Sequence, residues 1–316
     1  MAAAVDTPAS LRGERLRLRL RAARTFVRQF SHKPAGVAGV IVLAFFAILA
    51  FAPGFFVGPL ETVTTATGAH IEPPGAHELL GTDSLGRSVL NLTVWGTRVS
   101  MVIGLLATIV TIVVGAVVGI VSGFFGGWID GILMRITDLF LVLPTFVLAL
   151  ILAPIILELV GSDAEIAGIR ITLIVIVVVI GLTSWASTAR VVRSQVLSLK
   201  ERAFVDRARV IGAGGGHIMR RHLLPNVVNL IIANTVLTFA GAVLTETTLS
   251  FIGLGDPFQP SWGQILNDAE TAGATTLGAW WWVVAPSACI VLVVLAFTLV
   301  GNALDEILNP RLQGRR

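Results

Sequence analysis

Few side chains in this sequence are placed for covalent chemistry, and several are placed for binding or for passing on force. His32, His70, His77, His217 and His222 show no close metal-ligand spacing, so no metal site is expected. The single cysteine, Cys289, lies inside an apolar run and can build neither an intrachain disulfide nor a cysteine-based metal site. No Ser–His–Asp set and no paired carboxylates stand out, so no catalytic residue is assigned and the chain is not read as an enzyme. The glycine-rich string Gly212 to Gly216 lacks the preceding strand and the Lys-Ser/Thr of a phosphate loop, and reads as a hinge. Arg135 and Asp138 fall on one helical face and can pair. Glu246, beside Thr245, Thr247 and Thr248, stands at the outer end of an apolar run. It can meet a passing amine or bond to a neighbouring helix. Thr235 and Thr238 can line a passage or bond back to their own helix. Glu158 and Arg170 are expected to be solvated near an interface.

The densest polar segment of the second half is SQVLSLKERAFVDRARVIGAGGGHIMRRHLLPN, residues 194–226. With Arg190 and Arg193 it gathers Lys200, Arg202, Arg207, Arg209, Arg220 and Arg221, which holds it on the cytoplasmic side. Its spacing predicts two short helices. The first spans Ser198 to Ile211, with Leu197, Phe204, Ala208 and Ile211 recurring at helical intervals. Gly212 stands where a left-handed cap belongs, and Pro225 opens the next apolar run. Such a loop is built to dock onto something.

The elements that must position these residues are membrane helices. The chain is 55% apolar and only 13% charged, with a mean hydropathy of +0.86. Six apolar runs, near 35–57, 99–122, 132–156, 169–189, 226–248 and 279–303, approach the roughly 20 residues that cross the hydrocarbon. The β-branched run from Ile174 to Ile180 sits in too long an apolar stretch to be a strand. Gly115, Gly119 and Gly123 make a smooth helix face for close packing. With both termini inside, 20 of the 23 cations are cytoplasmic, leaving only Arg87, Arg98 and Arg170 outside. The basic arm before Lys33 (Arg12, Arg15, Arg17, Arg19, Arg21, Arg24, Arg28) can lie on an anionic leaflet or serve as a flexible anchor. Its apolar successor is too long for a cleaved signal peptide. Trp95 and Trp280–Trp281–Trp282 fall at outer boundaries, and a short external helix is expected from Trp262.

Several motifs then converge on one family. Asp206, Ala208, Gly212, Leu224 and Pro225 resemble the cytoplasmic EAA loop of ABC importer permeases, with Asp206, Arg207 and His222 replacing its Glu, first Ala and Ile. LGTDSLGRSVL, carrying Gly81, Thr82, Asp83, Gly86 and Arg87, resembles the LGTDxxGRDVL segment of the dipeptide, oligopeptide and nickel branch. LSFIGLG with PSWGQIL, and GNALDEILNPRL, resemble that branch's later signatures. The resemblance implies a C-type subunit with an all-α, six-span, type I ABC importer fold. It implies a cytoplasmic arm at 1–34, a first span at 35–57 and an external loop at 58–97. A five-helix core at 98–305 would hold the cytoplasmic coupling loop 190–225, before a cytoplasmic tail at 306–316. It further implies import of di- or oligopeptides across the inner membrane, with nickel chelates or glycosides as alternative cargo. Partners would be a homologous B-type permease, one or two cytoplasmic ATPases and an external solute-binding protein. No cofactor is expected on this chain; ATP and Mg would sit on the ATPases. Phe204, Ala208, Asp206 and Arg209 are expected to meet the ATPase groove. An ion-coupled secondary transporter is the reading from a different class, disfavoured by the absence of repeats and of midplane charges.

Overall fold

The computed structural model describes Arg21 and residues 24–161, 165–166 and 169–308. The arm residues Arg12, Arg15, Arg17 and Arg19, and the tail after Leu308, lie outside the described residues. Residues 24–31 are helical, and an ion pair from Lys33 to Glu306 ties this stretch to the end of the last helix.

Among the described residues eleven helices follow: α1 (Pro34–Phe51), α2 (Pro53–Val57), α3 (Val89–Phe125), α4 (Gly127–Val142), α5 (Thr145–Val160), α6 (Ile171–Lys200), α7 (Ala203–Val210), α8 (Gly215–Ile218), α9 (Leu224–Leu249), α10 (Trp262–Thr271) and α11 (Trp280–Leu308). A two-residue hairpin, β1 (Glu165–Ile166) with β2 (Ile169–Arg170), leads into α6. Five helices are long and apolar enough to cross a membrane, and six spans result if the bent pair α4–α5 counts as one.

Four expectations change. The third apolar run is not one straight helix: α4 and α5 meet at 93°. Pro144 lacks an N–H and forces Leu143 into extended backbone (ψ 129°), so α4 ends there. The first run likewise breaks at Ala52, ahead of Pro53. In the polar loop, α6 continues through Ser198 to Lys200, so the short helix starts at Ala203 rather than Ser198. The second short helix does not stand apart, because α8 runs through a wider turn at Met219–Leu223 straight into α9, and a further wide turn at Ser250–Leu254 ends in a kink at Gly253 (φ 90°).

α3 against α6 is the central packing. A Cβ on Gly115 would lie 2.7 Å from Thr188 Cβ, one on Gly119 2.6 Å from the Ala189 carbonyl oxygen, and one on Gly123 2.8 Å from Val196 Cγ1. The smooth face predicted from their spacing is therefore occupied by α6, at a backbone separation that only glycine permits. Ile176, Val179 and Ile180 of α6 are buried with Ala149 and Ala153 of α5, which folds the bent pair back onto the same core.

Candidate functional site

One end of the core is built around α7. Its last turn closes as a glycine cap: Gly212 takes φ 84°, and the Ala213 N–H donates to the Ala208 carbonyl at 2.9 Å. Val205 and Ala208 (5% exposed) are buried with Val192, Val196, Ile218, Leu223 and Val227. Phe204 is half-buried, its ring 6.2 Å from that of His222. This corrects the expected orientation, since Ala208 is spent on the chain's own core and Phe204 in part. The face left open holds Ala203, Asp206, Arg207, Val210 (90% exposed) and Ile211 (84% exposed) around a shallow hollow. Asp206 and Arg209 pair at 3.5 Å on its edge. Leu224 and Pro225 are exposed at the start of α9.

Two ion pairs anchor the bent pair to α6 just above this helix. Asp130 of α4 receives both Arg193 Nε (2.6 Å) and Arg193 Nη2 (2.5 Å), and Ser122 Oγ donates to it at 2.5 Å. Asp138 receives Arg190 Nη2 at 2.6 Å. Asp138 thus pairs across helices with Arg190, not along its own helix with Arg135, because α6 brings a guanidinium to its carboxylate.

At the opposite end, the loop motif is a folded cap. Gly81 (φ 66°) and Gly86 (φ 77°) make its turns. Asp83, fully buried, accepts the Leu85 and Arg87 N–H groups at 2.8 Å each and Arg87 Nε at 2.6 Å. Thr82, also buried, offers its carbonyl to the Trp281 indole at 3.1 Å. Arg87 Nη2 continues to Asp268 of α10 at 3.4 Å, and Gln264 donates to Asp268 at 2.9 Å. Burial pushes the Asp268 carboxyl above the ordinary aspartate range, against the opposing pull of Gln264 and Arg87. Arg170 is not solvated as expected: it lies 3.5 Å from buried Asp256 and 4.1 Å above the Phe258 ring.

Glu246 is closed off from solvent. It is 0% exposed, takes a 2.9 Å hydrogen bond from Ser250, and lies near the hydroxyls of Ser261, Ser100 and Thr247. Ser100 Oγ in turn accepts the Trp262 N–H at 3.1 Å, and Ser261 caps α10 through the Gln264 N–H at 3.2 Å. The carboxyl therefore sits beneath the first turn of α10, held through one oxygen by Ser250, while its other oxygen has no hydrogen-bond partner among the described residues. Thr235 borders an apolar groove while donating to Ile231 O at 2.7 Å. Thr238 is turned to Asn234, whose amide reaches Thr188 on α6 at 2.9 Å.

The inner membrane components of binding-protein-dependent transport systems match this chain over residues 115–314. The dipeptide transport system permease protein DppC of Bacillus subtilis is 33% identical over 290 residues, covering 90% of this chain and 85% of its own length. A Brucella suis protein assigned as a peptide permease is 34% identical over 286 residues, covering 90% and 89%. The chain belongs to this family. It is a multi-pass inner membrane component, and such components work with ATPases and with binding proteins. Within this permease component, sequence reasoning missed the Asp130–Arg193 and Asp138–Arg190 bridges and the Asp256–Arg170 contact. Each joins residues more than 50 positions apart, and charge spacing along one helix carries no signal for such pairs.

Proposed function

We propose that this chain is one of two membrane subunits of an ATP-driven importer of di- or oligopeptides, paired with a homologous B-type permease. Cytoplasmic ATPases hold the ATP and Mg, and an external binding protein delivers the peptide. Both termini and α7 face the cytoplasm, while the 58–88 cap and α10 face outward. The observation that carries the reading is the open face of α7. Val210 and Ile211 stand clear of the chain beside Asp206, Arg207 and Arg209, while Val205 and Ala208 root the helix between α6 and α9. An apolar tip with a charged rim suits insertion into a partner's groove, and a rigid root suits transmission. A push on α7 moves α6 and α9 as bodies, and the Arg190 and Arg193 bridges carry the bent pair with them. Peptide cargo is supported by the relatives, whose names specify dipeptide and peptide transport.

In proteoliposomes containing the full complex, Val210→Asp with Ile211→Asp should cut ATP-driven dipeptide uptake at least about tenfold while this subunit still inserts and co-purifies with the second permease. Undiminished uptake would exclude the α7 face as the contact. Uptake of nickel chelates or glycosides in place of peptides would reassign the cargo.

A further inference from the structure

We propose that Arg98 binds the terminal carboxylate of the transported peptide at the outer end of the passage, an assignment that rests on the peptide-importer reading. Arg98, Val102, Leu105, Ile109, Val113 and Val117 recur at helical intervals and form one exposed stripe along α3. Arg98 heads that stripe beside the cap residues Leu60, Gln259 and Pro260. It borders two apolar grooves of about 630 and 650 Å³, and among the described residues no other charged side chain lines either. The remaining described outer cations are engaged: Arg87 with Asp83 and Asp268, and Arg170 with Asp256. Among the described residues Arg98 has neither an ion-pair nor a hydrogen-bond partner, so its guanidinium is left to an anion from outside the chain.

The surroundings favour a peptide's carboxylate as that anion. A guanidinium fork matches a carboxylate in two parallel hydrogen bonds, and it is weakly enough hydrated to work against an apolar wall. The low dielectric of that wall strengthens the attraction. The first groove also holds the Gln259 amide, which has no partner among the described residues and can serve a main-chain N–H or C=O. Trp95 walls the same groove, its indole fixed by a 3.2 Å bond to the Gly58 carbonyl. One charge, one amide and otherwise apolar walls give a site that reads the invariant main-chain end of a peptide and leaves its side chains unspecified.

The test compares a dipeptide bearing a free carboxylate with its C-terminal amide, in proteoliposomes of the full complex with one binding protein throughout. Co-purification with the partner subunits checks assembly. At subsaturating concentration, Arg98→Gln should lower uptake of the free acid about tenfold relative to the unsubstituted protein, the loss of one charge-assisted pair. Uptake of the amide should change less than about twofold, and Arg98→Lys should restore part of the free-acid signal. Equal loss for both peptides would overturn the proposal and point to a lipid phosphate or a partner's carboxylate. Unchanged uptake of both would overturn it outright. If Arg98→Gln fails to assemble, the same acid-to-amide ratio measured with Arg98→Lys decides. Failure of the unsubstituted complex to import either peptide would remove the peptide reading itself, and this assignment with it.

Discussion

Glu246 is a carboxyl closed in by the hydroxyls of Ser250, Ser261, Ser100 and Thr247 and screened from solvent. Its removal leaves the buried Ser250 hydroxyl without its acceptor, at about 1–3 kcal/mol, and opens a cavity beside it. Glu246→Ala is therefore expected to lower the thermal midpoint of the purified complex clearly, and to leave the ranking of peptides by uptake rate unchanged. A reordered ranking at normal stability would put Glu246 in contact with cargo after all. Ala208 teaches the same lesson from the opposite end of the core. Its type and spacing marked it as a contact residue, yet its methyl fills the junction of α6, α7 and α9. The exposed apolar residues beside it are Val210 and Ile211.

Among elements, α3 and α6 form the pair on which the others rest, and their closeness depends on glycine. Gly119→Val would drive branched carbons into the Ala189 carbonyl, where a Cβ alone already comes to 2.6 Å. Overpacking of this kind costs about 1–3 kcal/mol. Reduced thermal stability and complex yield are expected in detergent, whereas Gly131→Ala on α4, whose Cβ meets nothing within 4 Å, serves as a silent control. Equal behaviour of the two variants would mean that α3 and α6 do not pack as described. The bent pair shows how a single residue redirects an element: Pro144 ends α4, and the 93° turn lets α5 return to the core while Asp130 and Asp138 stay within reach of α6.

For the whole molecule, the exposed stripe of α3 is flanked by two open apolar grooves among the described residues. On the proposed pairing, the passage closes only between this chain and the second permease. Reconstituted alone in liposomes, the chain should pass no dipeptide with or without ATP, and uptake should arise only when the second permease and the ATPases are added. Peptide flux through the lone chain would end the shared-passage reading.

The apolar run lengths, the cation bias and the glycine spacing are local properties, and by themselves they determined the membrane class, the helical fold and the smooth face of α3. Ordered motifs likewise carried the family, because they record residue types at fixed distances along the chain. What only the tertiary structure decided is direction: which face of α7 is buried, that Glu246 points under α10, that Arg190 and Arg193 reach Asp138 and Asp130, and that Arg98 alone heads an open stripe. The reason is physical. Periodicity says that a helix has two faces, but burial and pairing are settled by whichever surface folding brings against each of them, and that surface comes from residues distant in the chain.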